Sequence, residues 1–195
     1  MSKGIIEIVR DVVESASRNV TIRLDGGGGD VLEMESPHIN YLFGNAQYMK
    51  DMLDVKSVGA AGFWNPQEPK FPLVHLFTPI VEKHDGADYE LRATVSLLIA
   101  TSSRQDWSNE RRMMSSFKMV LEPIYEAFMD ALRHDTRVME PYKGFFSHEK
   151  EDNYSYGRYG AYTERGEKVS EPIDAIVIRG LELKIAKENC RNYKR

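Results

Sequence analysis

Residues 89–100, YELRATVSLLIA, constrain the fold more than any other stretch of the chain. Apolar and polar side chains alternate through its first half, which is the pattern of a β-strand with one buried face. From Leu97 to Ala100 every residue is apolar, so both faces of the strand need cover there. The strand must therefore enter a sheet half-exposed and finish deeply buried.

Other stretches predict partners for this strand. FPLVHLFTP at 71–79 is a second strong strand, and the turn residues HDGAD at 84–88 predict an antiparallel hairpin between the two. IDAIVIRGLELKIA at 173–186 is a further strand whose apolar phase changes partway along. A β-bulge near Arg179 and Gly180 would restore one buried face.

A shorter hairpin is predicted near the N-terminus, where VTIRL at 20–24 and VLEM at 31–34 flank DGGGGD. The four glycines also invite interpretation as a phosphate-binding loop. No Gly-Lys-Ser/Thr follows them, and a strand follows where such a loop needs a helix N-terminus. The hairpin is the interpretation that we carry forward.

Helical spacing of apolar residues predicts two helices. The first covers residues 4–17, and the second covers residues 109–133 with Ser108 as its N-cap. Pro123 lacks a backbone donor and should kink or split the second helix. Eight residues are predicted to be core: Leu97, Ile99, Phe117, Leu121, Ile124, Phe128, Ile176 and Ile178.

These elements predict one α+β domain over residues 1–195, with an antiparallel, bulged sheet and both helices packed on one face. A chain of 195 residues, 42% of them hydrophobic, suits a single core. Residues 141–172 are rich in tyrosine, glycine and charge, and they predict a protruding arm, hairpin or mobile loop.

No residue pattern indicates catalysis, a cofactor or a metal. The five histidines are scattered without ligand spacing, and no serine lies in a nucleophile elbow. The single cysteine, Cys190, excludes an intramolecular disulfide framework and a multi-cysteine metal site. A net charge of -4 disfavours a broad nucleic-acid-binding face, and no apolar stretch approaches the ~20 residues that span a bilayer.

The corner after the 89–100 strand, TSSRQDWSNERR, combines hydroxyls, charges and a tryptophan. Its hydroxyls and Asp106 should satisfy backbone groups where the strand ends, with Trp107 covering the junction between sheet and helix. Arg104, Arg111 and Arg112 should then point outward as a basic cluster, either as a solvated rim or as a partner site.

Aromatic residues crowd the 141–172 segment, and aromatic side chains with polar tips are favoured at protein interfaces. We therefore predict that this segment packs on an adjacent subunit or on a neighbouring ring, with its tyrosines at the contact. Together with the corner, the predicted interface residues are Arg104, Trp107, Arg111, Arg112, Tyr142, Phe145, Phe146, Tyr154, Tyr156, Tyr159 and Tyr162.

The order of elements resembles that of the tail terminator and neck proteins of tailed bacteriophages. The resemblance rests on an opening amphipathic helix, FPLVHLFTPIVE, VSLLIATSSRQDW, FKMVLEPIYEAFMDAL and the closing strand IDAIVIRGLELKI. It implies a non-enzymatic virion protein that forms a homo-oligomeric ring, of about six or twelve copies, at the head–tail junction. It also implies neighbouring neck and tail proteins as partners, assembly in the host cytoplasm, and DNA that passes through the ring without specific binding.

A second hypothesis comes from a different class of protein. Polar residues at the end of a strand, beside Arg104, Arg111 and Arg112, could hold an anion through backbone donors. The chain would then be a small binding or enzymatic domain that acts on a phosphorylated ligand.

Overall fold

The structure is a computed structural model of the whole chain. It describes residues 4–27, 29–54, 70–84, 90–139, 144–159 and 171–186. Its elements run in the order α1 (Ile5–Arg18), β1 (Thr21–Gly27), β2 (Asp30–Glu35), β3 (Asn40–Gly44), α2 (Ala46–Asp54), β4 (Leu73–Phe77), β5 (Val81–His84), β6 (Glu90–Ser102), α3 (Asn109–Arg112), a π-helical segment (Met113–Leu121), α4 (Glu122–His134), β7 (Glu149–Tyr159) and β8 (Glu171–Ala186).

A six-stranded sheet forms the centre of the α+β fold, in the order β3-β4-β6-β8-β7 with β5 also paired to β6. The strands predicted as a hairpin over 71–79 and 89–100 do pair antiparallel as β4 and β6, with Leu73 opposite Ala100 and Leu76 opposite Leu97, but they are not consecutive strands of the chain. The short strand β5 lies between them in sequence and pairs with the first part of β6. The β3–β4 pair is parallel, which differs from the fully antiparallel sheet that we predicted. Helix α2 connects these two strands, and a crossover of this kind returns the chain in the parallel direction.

The bulge predicted in the last strand is confirmed. Val95 pairs with Leu181 and Leu97 pairs with Ile178, so β8 holds one more residue than β6 between these pairs. Gly180 has a φ of 63°, a left-handed conformation that glycine adopts more readily than other residues. The extra residue returns Leu181, which would otherwise be out of phase, to the buried face of Ile178.

The core lies on both faces of the sheet. Helices α1 and α4 and the π-helical segment cover one face. All eight predicted core residues are confirmed as buried: Leu97, Ile99, Phe117, Leu121, Ile124, Phe128, Ile176 and Ile178. Helix α2 covers part of the other face through Met49, Met52 and Leu53, beside Leu98 and Ala100. This second layer explains why β6 becomes apolar on both faces.

The helix predicted over 109–133 is continuous, but its middle is widened into a π-helix directly before Pro123. In an α-helix the ring of Pro123 would crowd the carbonyl of Met119, and its nitrogen could not donate to that carbonyl. The backbone N–H of Glu122 donates to Phe117, five residues earlier, as a π-turn requires. Ser108 caps the N-terminus as predicted, accepting a bond from the backbone N–H of Arg111 at 3.3 Å.

Candidate functional site

The corner between β6 and α3 is held partly by its own charged side chains. The guanidinium of Arg104 donates two hydrogen bonds to the carboxylate of Asp106, both of 3.0 Å. This hydrogen bonding lowers the pKa of Asp106 and raises the pKa of Arg104. Both side chains are largely exposed, so the pair shapes the turn and adds little stability.

Arg111 links the corner to the β1–β2 hairpin. Its guanidinium lies 5.1 Å from the ring centre of Trp107, and its Nη2 lies 2.9 Å from Oδ2 of Asp25 on β1. The hydroxyl of Ser115 donates to the same carboxylate oxygen at 3.1 Å. Trp107 therefore lies between a strand end and a helix start, as predicted, and Arg111 connects it to the hairpin.

Arg112 does not point outward, so that expectation is wrong. Its side chain is buried, with the residue only 6% exposed, and its Nη1 lies 3.2 Å from Oδ1 of Asp174 on β8. Its Nη2 donates to the backbone carbonyl of Arg104 at 3.1 Å, and Ser116 donates to Oδ2 of Asp174 at 2.8 Å. A buried cation requires such partners, and here a carboxylate on β8 and a backbone carbonyl of the corner provide them, while Ser116 bonds the carboxylate.

The same ion pair also fixes the edge strand β7. The backbone N–H of Ser155 donates to Oδ1 of Asp174 at 2.9 Å, and Arg112 donates to the Ser155 hydroxyl. Ser155 has a φ of 63° and lies where β7 loses register with β8, between Asn153 and Gly157. The irregularity in the strand thus places a backbone donor beside the buried carboxylate.

Sequence reasoning missed Asp174, Ser116 and Ser155. Two of them are polar residues at otherwise apolar positions, which the sequence shows. Asp174 interrupts the apolar run IDAIVI, and Ser116 lies on the apolar side of a helix. Polar residues at core positions require partners inside the protein. No pattern singles out Ser155, because its left-handed backbone depends on the pairing of β7 with β8.

A groove of about 400 Å³ opens at this corner, and its lining includes Asp25, Ser103, Arg104, Asp106 and Trp107. The hypothesis of a phosphorylated ligand needs a cation that is available to an anion. Each of the three guanidiniums is instead paired with a carboxylate, and two of those carboxylates line the groove. The arrangement does not favour anion binding there.

The predicted interface residues of the 141–172 segment lie in different environments. Residues 149–159 form β7 and pair with β8, so this part of the segment belongs to the sheet. Tyr154 packs on the core residue Phe117 with tilted rings whose centres are 4.3 Å apart, and Tyr156 packs against the core residues that α2 covers. The backbone of Tyr159 pairs with Glu171, whereas Tyr142 and Tyr162 lie outside the residues that the structure describes.

Phe145 and Phe146 have opposite environments although they are adjacent. Phe146 is buried in the core beside α1 and α4, whereas Phe145 is 76% exposed. Phe145 lies at a groove of about 460 Å³ whose lining includes Tyr125 and Met129 on α4 and also His148. The Tyr125 hydroxyl and Nε2 of His148 are hydrogen-bonded at 2.8 Å, and burial raises the pKa of Tyr125.

The helices of the described residues include none that is long and apolar enough to cross a membrane. Within the same part of the chain, no three His, Cys, Asp or Glu side chains are grouped so that they could hold a metal ion. No family model, no curated protein and no solved structure matches the chain.

Proposed function

We propose that the chain is a structural subunit that assembles with copies of itself into a ring at the head–tail junction of a tailed bacteriophage. The position would be that of a tail terminator or a neck ring, with other neck and tail proteins as neighbours. The order of elements supports the proposal through the family resemblance. The structural observation that carries it is the exposure of Phe145 beside a groove that both apolar and charged residues line.

Phe145 has the character of an interface residue. Its side chain is more exposed than that of any other large hydrophobic residue that the structure describes, and the groove beside it has an apolar floor that includes Met129. Full burial of a phenylalanine against a partner contributes roughly 1.5–3 kcal/mol. Aromatic anchors in such grooves are typical of the few residues that dominate binding.

The environments of the other aromatic residues reduce the number of side chains in residues 141–172 that are available to a partner. Phe146 is buried in the core of its own domain, and Tyr154 and Tyr156 each pack one side against that core, which leaves less of their apolar surface for a partner. Phe145 is left as the aromatic residue of residues 144–158 that projects most into solvent. In the proposed ring, a second copy of the chain covers Phe145 and its groove.

The test is the mass of the purified protein and of two variants, measured by size-exclusion chromatography with light scattering. Phe145→Glu places a charge in the proposed contact and should shift the wild-type oligomer to smaller species. Met114→Glu is the control, because Met114 is 53% exposed and lies roughly 20 Å along the long helix from Met129, which lines the groove. An unchanged oligomer in Phe145→Glu would contradict the proposed contact.

A further inference from the structure

The β1–β2 hairpin presents an open strand edge that is separate from the Phe145 groove. Within the residues that the structure describes, β2 pairs with β1 alone, in a two-stranded sheet of its own. β1 is held on the body of the protein through buried Ile22 and through the bonds from Arg111 and Ser115 to Asp25. β2 is therefore fixed in position while its outer backbone groups face away from β1.

The side chains of β2 protect this edge only through the negative charges of Asp30, Glu33 and Glu35. All six of its residues are exposed, and three are large and apolar: Val31 at 51%, Leu32 at 58% and Met34 at 37%. Proteins usually protect such edges with lysine, proline or cover from another element, because an exposed apolar edge pairs with other chains. The sequence of β2, DVLEME, contains neither lysine nor proline.

The charge of β2 limits which strand can pair with it. Asp30, Glu33 and Glu35 are distributed along its length, and Arg23 on β1 donates to Glu33 at 2.9 Å. A second copy of β2 placed beside the first would bring two sets of three carboxylates together, and like charges on adjacent strands are destabilising. A strand with positive charges would instead complement the carboxylates.

We propose that β2 binds an extended segment of a different polypeptide, in which lysine or arginine residues alternate with apolar ones. Backbone hydrogen bonds along the edge provide the affinity, as in other cases where a peptide adds a strand to a sheet. Apolar side chains of the segment cover Leu32 and Met34 on one face of β2, and its basic side chains lie beside Glu33 and Glu35 on the other face. The basic side chains provide selectivity and make binding salt-dependent.

Three short fluorescent peptides test the proposal with the full chain. One alternates lysine and valine, one alternates glutamate and valine, and the third is the lysine peptide methylated on alternate backbone nitrogens. Fluorescence anisotropy should show the lysine peptide binding roughly tenfold or more tightly than either of the others. Its advantage over the glutamate peptide should shrink at about 0.5 M NaCl, where surface charges are screened.

The double variant Asp30→Lys/Glu35→Lys should reverse the charge preference, whereas Glu14→Lys, an exposed residue on α1, should leave it unchanged. Equal binding of the methylated peptide would overturn strand pairing, and equal binding of the glutamate peptide would overturn the charge selection. Absence of binding by every peptide would overturn the proposal as a whole. Loss of the chain's own oligomer in the double variant, with circular dichroism unchanged, would identify a second copy as the occupant and also overturn it. The Phe145→Glu experiment is independent of these results, so the two proposals can fail separately.

Discussion

Arg112 and Asp174 form an ion pair with 3.2 Å between Nη1 and Oδ1, inside the protein and between the long helix and β8. The pair also receives bonds from Ser116 and from the backbone of Ser155. It therefore connects the long helix, the edge strand and the central sheet at the same corner that the sequence suggested as a binding site. Its partners indicate that this corner is a structural junction.

Removal of one partner of this pair should be costly. Arg112→Met leaves the Asp174 carboxylate buried without its cation, and such a change costs about 3–5 kcal/mol of the free energy of unfolding. Arg104→Met is the matched control, because that ion pair is exposed to solvent and should contribute little to the free energy of unfolding. Urea denaturation of the two variants checks the prediction, and similar losses would contradict the structural role of Arg112.

Helix α4 makes a core contact that can be tested directly. Phe128 on α4 is buried, so Phe128→Ala should lower the free energy of unfolding by about 3–5 kcal/mol. Met114→Ala removes an exposed side chain from the same helix and should change the free energy by about 0.5 kcal/mol or less. A loss near zero for Phe128→Ala would show that the buried face of α4 is wrongly assigned.

The bulge in β8 predicts different effects for two glycines. Gly180→Ala should destabilise the protein by about 1–2 kcal/mol, because the φ of 63° at this position is unfavourable for alanine. The methyl group itself would meet open space, so a steric clash would not contribute. Gly157→Ala on β7 also meets open space, and its φ lies outside the left-handed region. It should not destabilise the protein. Thermal unfolding of both variants provides the comparison, and equal effects would count against conformational strain at the bulge.

The buried His75 predicts a loss of stability in acid. Burial lowers the pKa of His75 from 6.5 to about 4, although Nε2 bonds the carbonyl of Gly44 at 3.1 Å. Below pH 6.5 the imidazole of His75 binds a proton in the unfolded chain but stays neutral in the folded one. The free energy of unfolding therefore falls as the pH drops, and the loss is complete below about pH 4. The total loss from this residue should be about 3 kcal/mol.

Denaturation of wild type and His75→Leu between pH 7 and pH 5 isolates this contribution, because most carboxylates remain ionised in that range. The wild type should lose stability more steeply than the variant. Parallel pH profiles would show that His75 titrates normally in the folded protein.

Much of the fold could be predicted because the strands and helices follow from patterns of neighbouring residues in the sequence. The alternation in β6, the phase change in β8 and the apolar stripe of the long helix each depend on neighbouring residues in sequence. The bulge at Gly180 is the clearest case, because two apolar phases in one strand need an extra residue to share a face.

The candidate site was harder to predict because its decisive contacts are distant in sequence. Arg112 and Asp174 are 62 residues apart, and only the packing of the helix on β8 brings them together. Without that contact, Arg112 resembles its exposed neighbours Arg104 and Arg111. The tyrosines of β7 were misleading for the same reason, since Tyr154 contacts a phenylalanine on the long helix.

The most direct test of the proposed function is electron microscopy of the purified wild-type protein, with its mass measured by light scattering in the same sample. The account predicts closed rings with one copy number and a mass that is the matching multiple of 22.4 kDa. A protein that remains monomeric at every concentration measured, and that is absent from purified virions, would contradict it.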